Sequence, residues 1–283
     1  MDNQEYLSKL HSEILIIMDE IHRVCVENGL KYYLVGGSLL GAVRHKGFIP
    51  WDDDLDIAMP RQDLDKFIEI ASSKLEKYCY LNWITTNINY WNLFPKVCLT
   101  NTLFDEGKYN NAYKMGIFVD IFPLDVSSSY TKELETIKQT MKRWHYISSA
   151  KNITSKTVKT MVYKIISFFV SNKYSYKAQR NACLKAQNLG SDHYANFGSQ
   201  YKLQKQTMPI EWYGQGTLLP FEDRQYYVPS EYIKVIESIY GDNYMQLPPL
   251  EKRRSHYPRK VQFLDKTIMT FEEPQKRITV NEQ

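Results

Sequence analysis

The stretch Gly36-Gly37-Ser38-Leu39-Leu40-Gly41-Ala42-Val43-Arg44-His45-Lys46-Gly47-Phe48-Ile49-Pro50-Trp51-Asp52-Asp53-Asp54-Leu55-Asp56-Ile57 carries most of the fold and most of the chemistry. Just ahead of it, Tyr32 to Val35 is an apolar run that predicts a short strand entering the Gly36-Gly37-Ser38 turn. Leu39, Leu40 and Val43 predict one or two helical turns after it. Arg44-His45-Lys46-Gly47 reads as a basic loop, Pro50-Trp51 as a bend, and Asp52 to Met59 as a strand closed by Pro60. Alternation along that strand places Asp52, Asp54 and Asp56 on one face and Asp53 with Leu55 and Ile57 on the other. Carboxylates so crowded resist ionisation unless a cation neutralises them, so Asp54 and Asp56, two apart on the strand, are predicted to converge on a hard divalent ion, Mg²⁺ or Mn²⁺. The plainer alternative is an acidic turn at a strand end. Backbone N–H groups at a glycine turn opening a helix cradle phosphate. Gly36, Gly37 and Ser38, followed by Arg44, His45 and Lys46, therefore predict the phosphate half of a nucleotide site.

Outward from this unit, Leu10, Ile14, Ile17, Met18, Ile21, Val24 and Cys25 fall at helical spacing, and Gly29 marks a natural stop. A second helix is predicted from Gln62 to about Lys77 and another over Glu231–Tyr240, with two or three across 131–190. Strands are predicted near Cys79–Thr85, Leu93–Leu99 and Gly116–Phe122. Strands and helices mix without a regular βαβ repeat, which argues for an α+β fold. The run Gly116-Ile117-Phe118-Val119-Asp120-Ile121-Phe122 buries one carboxylate among apolar residues, and a buried Asp needs a partner or a metal. Asp120 is the candidate third metal ligand or base, the alternative being a structural salt bridge. Lys96 either reaches phosphate oxygens or is an ordinary surface lysine.

Composition narrows the classes. The 283 residues are 43% hydrophobic and 24% charged, with 12 Gly and 11 Pro, which excludes disordered and collagen-like chains. No apolar run approaches the roughly 20 residues a membrane span needs, and Met1 to Leu10 lack a signal-like apolar stretch, so a cytoplasmic location is expected. Cys25, Cys79, Cys98 and Cys183 form no CxxC pair, which predicts reduced, buried thiols. A net charge of +4 is too mild to imply a nucleic-acid partner. It is unevenly spread: Thr136 to Ser191 holds 11 Lys or Arg and no acid, leaving 25 basic against 32 acidic residues elsewhere. Within that stretch Val158, Met161, Val162, Ile165, Ile166 and Phe169 predict an amphipathic helix rimmed by Lys156, Lys159 and Lys164. Such a helix suits an anionic membrane surface or a polyanionic substrate, the alternative being a helical subdomain with a solvated basic face.

Residues 36–57 closely resemble the signature of the LicD family of phosphocholine transferases, which the fukutin-related proteins share in looser form. Two further blocks agree: Gly116 to Asp125, and Tyr240-Gly241-Asp242-Asn243-Tyr244-Met245-Gln246-Leu247-Pro248-Pro249 followed by Lys252, Arg253 and His256. The resemblance implies a nucleotidyltransferase-like fold, a small mixed sheet flanked by helices with an added helical subdomain. It implies Asp54, Asp56 and Asp120 as the acidic triad, with Asp52 beside them at the metal, and substrate-binding roles for Arg253 and His256. The division it suggests is a catalytic core over 1–125, a basic helical insertion over 126–206 and a C-terminal part, 207–283, completing the site. The implied donor is CDP-choline, or the CDP-ribitol or CDP-glycerol of related members. The implied acceptor is a glycan or lipid-linked glycan of the teichoic acid, lipopolysaccharide or capsule type, met at the inner face of the membrane. Nucleotidyl transfer from a triphosphate to a small molecule remains open. Trp51, Tyr90 and Trp91 are candidate walls for a choline pocket.

Overall fold

The computed structural model describes residues 2–107, 115–153, 157–253, 255 and 258–271. Among them are eight α-helices: α1 (Asn3–Glu27), α2 (Gly36–Arg44), α3 (Arg61–Lys74), α4 (Lys132–Ser149), α5 (Val158–Phe169), α6 (Asn172–Gln187), α7 (Ile210–Tyr213) and α8 (Tyr232–Tyr240). The strands are β1 (Tyr33–Leu34), β2 (Asp56–Pro60), β3 (Cys79–Asn82), β4 (Lys96–Leu99), β5 (Leu103–Asp105), β6 (Phe118–Ser127), β7 (His193–Ala195), β8 (Thr207–Pro209), β9 (Thr217–Phe221), β10 (Arg224–Val228), β11 (Lys260–Gln262) and β12 (Ile268–Thr270). The fold is α+β, a mixed sheet with helices packed around it.

The main sheet runs β1-β2-β6-β4-β3. β2 and β6 are parallel, while β4 is antiparallel to β6. The ten residues of β6 serve two neighbourhoods, pairing with β2 and β4 first and with β7 through Asp125–Ser127. Helix α1 is capped by the Asp2 carboxylate, which accepts from Glu5 N at 2.8 Å, and its stripe Leu10, Ile14, Ile17, Met18, Ile21 and Val24 is buried across β4 and β6. That is the stripe the spacing predicts. Helix α3 covers β2, β3 and β6 with Leu64, Phe67 and Ala71.

Three helices fill 132–187, each begun by a hydroxyl cap: Thr131 for α4, Thr157 for α5 and Ser171 for α6. Helices α4 and α6 pack on each other around a second, smaller core that includes Leu134, Met141, Ala182, Cys183 and Phe197. A buried bidentate pair, Arg61 to Asp125 at 2.8 Å for both bonds, sits where α6 meets β6, and Arg180 of α6 lies 3.7 Å from the same carboxylate. All four cysteines are free and buried, and burial pushes the Cys79 and Cys98 thiols up to about 12.

Three features depart from the sequence reading. β2 begins at Asp56, because the chain at 52–55 is irregular. The segment 207–230 folds into β8, α7 and the β9–β10 hairpin, and β5, β11 and β12 form a small separate sheet. Their three- to five-residue lengths leave too little alternation for a pattern to register. Finally, α5 is amphipathic as predicted but turns its apolar face to solvent, and of its twelve residues only Ser167 is buried.

Candidate active site

Strand register builds the centre of the site. Asp56 of β2 stands opposite Asp120 of β6, and Lys96 of β4 stands opposite Asp120 on its other side. Cross-strand partners share a face of the sheet, so three charged side chains form one row across three strands. Lys96 and Asp120 are ion-paired, and Lys96 is 7% exposed, so it is a buried part of the row and not a surface lysine. Its ammonium also lies 3.4 Å from the centroid of the Phe118 ring.

The acidic approach to β2 corrects the strand register read from the sequence. Because residues 52–55 are not a strand, alternation does not separate Asp53 from its neighbours. One carboxylate oxygen from each of Asp52, Asp53 and Asp54 lies within 4.8 Å of the others, and Asp53 is 3% exposed. Asp54 is the hub: its charge raises the proton affinity of Asp52, Asp56 and Asp120 alike. Burial is the largest cause in each case. Asp52 and Asp56 are pushed well above the usual carboxylate range, and Asp120 to about 6, with Lys96 pulling the other way on Asp56 and Asp120. Oxygen donors crowded in this way, each disfavouring the ionisation of the next, suit a hard divalent cation.

Gly36 and Gly37 back directly onto this cluster. A Cβ at Gly37 would lie 2.7 Å from Asp52 Oδ2, and Gly36 adopts φ +56° with Asp56 Oδ2 3.7 Å from its Cβ position. The Ser38 hydroxyl accepts from Asp56 N at 2.8 Å, so it fixes the first residue of β2. On the opposite flank, the Tyr201 and Tyr240 hydroxyls meet at 3.2 Å, and burial, with the Asp52 and Asp56 charges adding, pushes both phenols up.

A cleft of about 250 Å³ opens over the row. Asp54, Asp56, Lys96 and Asp120 form its polar end, while Trp91, Phe94, Phe122 and His145 are among its walls. Phe94 and Phe122 lie 4.1 Å apart between centroids. The Trp91 carbonyl accepts from Ser148 Oγ at 3.2 Å and lies 3.2 Å from His145 Nδ1, so α4 holds this wall. Burial lowers His145 to about 4, leaving it neutral at physiological pH. Phe122, His145, Glu106 and Gln200 were not legible in the sequence as site residues. They come from distant segments and carry no local motif: Phe122 lies on β6, His145 on α4, Glu106 just after β5 and Gln200 in the loop after β7, and only the tertiary fold brings them to one cleft.

The remaining candidates lie further out. The Arg44 guanidinium donates to the backbone carbonyls of Tyr244 (2.8 Å) and Gln246 (3.3 Å), and its Nε to His45 Nε2 (3.0 Å). Burial, then the neighbouring Arg253, lowers its proton affinity. The Lys46 side chain is exposed, while its carbonyl accepts from Glu222 N. Arg253 stacks 5.1 Å from the Trp51 ring and donates to the Pro248 carbonyl, so Arg44, His45, Trp51 and Arg253 tie the C-terminal block to the end of α2. Tyr90 is buried with its hydroxyl donating to the Phe94 carbonyl, which leaves Trp91 as the cleft wall among the three predicted aromatics. His256 lies outside the described residues.

Residues 29–156, which contain Asp54, Asp56, Lys96 and Asp120, match the family model described as LicD/FKTN/FKRP, nucleotidyltransferase domain. The lipopolysaccharide cholinephosphotransferase LicD of Haemophilus influenzae is 30% identical over 259 residues, which is 88% of this chain and 95% of that one. An uncharacterized protein of Rickettsia prowazekii is 32% identical over 107 residues, 38% of this chain and 39% of its own. A 36-residue stretch is 53% identical to human ribitol 5-phosphate transferase FKRP, covering 13% of this chain and 7% of that protein. On the strength of a match running through nearly the whole of the Haemophilus protein, this chain belongs to the LicD family.

Proposed function

We propose that the chain transfers phosphocholine from CDP-choline to a hydroxyl of a cell-surface glycan, releasing CMP. The observation that carries this reading is the row Asp56–Asp120–Lys96, with Asp54 at its head, lying at the polar end of a cleft walled by Trp91, Phe94 and Phe122. The acids and lysine suit a phosphate and its metal, and the aromatics suit a quaternary ammonium, which has no N–H to donate and is held by ring faces. The relative named as a lipopolysaccharide cholinephosphotransferase points the same way.

In this reading the acceptor hydroxyl attacks the phosphorus that bears choline, the new P–O bond forms, and the bond to the CMP oxygen breaks. A Mg²⁺ or Mn²⁺ ion held by Asp52, Asp54 and Asp56 would supply charge neutralisation on the donor phosphates. Gly36 and Gly37 let the backbone of α2 approach without a side chain between it and the carboxylates. Asp120 either closes the metal site from β6 or takes the proton of the attacking hydroxyl. Asp120→Asn separates the two roles: loss of Mg²⁺ affinity marks a ligand, whereas loss of turnover with affinity retained marks a base. Lys96 holds Asp120 ionised and offers its ammonium to the transferred phosphate.

The short match to the ribitol 5-phosphate transferase favours a second reading, transfer of ribitol phosphate from its CDP donor. The test is to incubate the chain and Mg²⁺ with a lipopolysaccharide lacking phosphocholine and, in parallel, CDP-choline, CDP-ribitol, CDP-glycerol or CTP. CMP release greatest with CDP-choline supports the proposal. CMP release greatest with CDP-ribitol selects the second reading, and pyrophosphate release from CTP would replace both with nucleotidyl transfer.

A further inference from the structure

Helix α5 is built the wrong way round for a protein surrounded by water. At about 100° per residue, Phe168, Met161, Ile165, Val158, Phe169, Val162 and Ile166 fill one arc of roughly 160° with no polar residue among them. In an ordinary globular helix that arc would face the core. Here the opposite side, centred on Ser167 and Tyr163, packs toward α4, where Tyr163 stacks on Tyr146 with centroids 5.9 Å apart. The apolar arc is left in solvent, with Val158 79%, Phe168 84% and Phe169 86% exposed.

Charge bears on what covers it. Lys159 and Lys164 fall just outside the two edges of the arc, and Lys151, Lys173 and Lys177 flank the helix in sequence. No acidic residue occurs between Thr136 and Ser191. An apolar face bordered on both sides by lysines matches an interface whose inner part is hydrocarbon and whose outer part is anionic. A second copy of this chain would bring a second set of lysines against the first, which argues against self-association through this face. At 1.5 Å rise the twelve residues are about 18 Å long, too short to cross a bilayer, so the helix lies along the surface.

We infer that α5 docks the protein on an anionic lipid bilayer, apolar arc down. The placement suits a lipid-borne acceptor: α4, which carries α5 on Tyr146, holds the cleft wall at Trp91 through His145 and Ser148. At the start of α6, Asn172 Nδ2 donates to the Ile88 carbonyl in the loop that leads to that wall. The inference does not depend on which phospho-alcohol is moved, and its test uses lipid and protein alone.

The full chain is sedimented with vesicles of phosphatidylcholine and phosphatidylglycerol (3:1) and with phosphatidylcholine vesicles. Binding to the anionic vesicles is expected to be at least tenfold the stronger. Phe168→Ser/Phe169→Ser should lower it at least tenfold, and Lys159→Gln/Lys164→Gln several-fold with a flatter salt dependence, since exposed charges act through a screened field. Phe168, Phe169 and Lys159 are exposed and Lys164 is half-buried at the surface, so melting temperatures should stay close to the wild type. Because the four native thiols are buried, Phe169→Cys takes an environment-sensitive dye selectively, and its emission should shift to the blue on anionic vesicles. Equal vesicle binding by wild type and Phe168→Ser/Phe169→Ser, or an unshifted emission, would overturn the inference. So would a wild-type dimer that Phe168→Ser/Phe169→Ser turns into a monomer without any vesicle binding.

Discussion

The acidic end of the sheet and the outer face of α5 depart from the ordinary partition of side chains in opposite directions. At the first, Asp53 and Asp120 are buried and Asp52, Asp54 and Asp56 half-buried among them, while at the second Phe168 and Phe169 are left in water. Neither arrangement helps the chain fold, because buried like charges repel and exposed hydrocarbon forgoes its burial energy. In the two proposals above both are surfaces completed by something from outside, a cation with phosphates in one case and lipid in the other. The Arg61–Asp125 pair supplies the contrast, since it is also buried and charged but is complete within the chain.

That contrast predicts opposite signs for similar substitutions. Arg61→Met leaves Asp125 buried and short of its bidentate partner, and should cost about 3–5 kcal/mol in denaturant unfolding. Asp56→Asn removes one of several repelling charges and, without divalent metal, should raise the melting temperature by about 2–4 °C, the shift that about 1 kcal/mol produces in a chain of this size. If Asp56→Asn destabilised the metal-free protein as Arg61→Met does, the comparison would fail.

A pH series sharpens it further. His145 has its folded proton affinity lowered to about 4, so stability is whole above the unfolded value near 6.5 and is lost as pH falls from there to about 4. For a partly buried ring this amounts to about 1–2 kcal/mol. The raised carboxylates work in reverse, their penalty being relieved as pH falls through their folded values. The stability of wild type minus that of His145→Gln should therefore decline between pH 7 and pH 4. A constant difference would place His145 in a wetter setting. The smallest effect belongs to α5, where Phe168→Ser should change stability by no more than about 0.5 kcal/mol because the side chain is 84% exposed.

The two regions also differ in how much of each a reader of the sequence could find. Long helices with a full apolar stripe, such as α1, were legible, as was the carboxylate-rich approach to β2, because the pattern lies within one local stretch. The orientation of Asp53 was not, since alternation applies only where a strand exists and β2 starts three residues later. Lys96 was left undecided between phosphate ligand and surface residue because its meaning depends on β4 lying beside β6. The amphipathic character of α5 was legible in its spacing, yet spacing carries no information about which face meets the protein. That is settled by Tyr163 against Tyr146.

The central claim is that the buried carboxylates exist to hold a donor's phosphates through a divalent ion. Calorimetric titration of CDP-choline into the full chain, with Mg²⁺ and then with EDTA, tests it most directly when repeated on Asp54→Asn, the substitution at the hub of the cluster. The account predicts binding in Mg²⁺ that weakens at least tenfold in EDTA and by a similar factor in Asp54→Asn, with the variant melting no lower than the wild type. Affinity for CDP-choline unchanged by EDTA and by Asp54→Asn would contradict it.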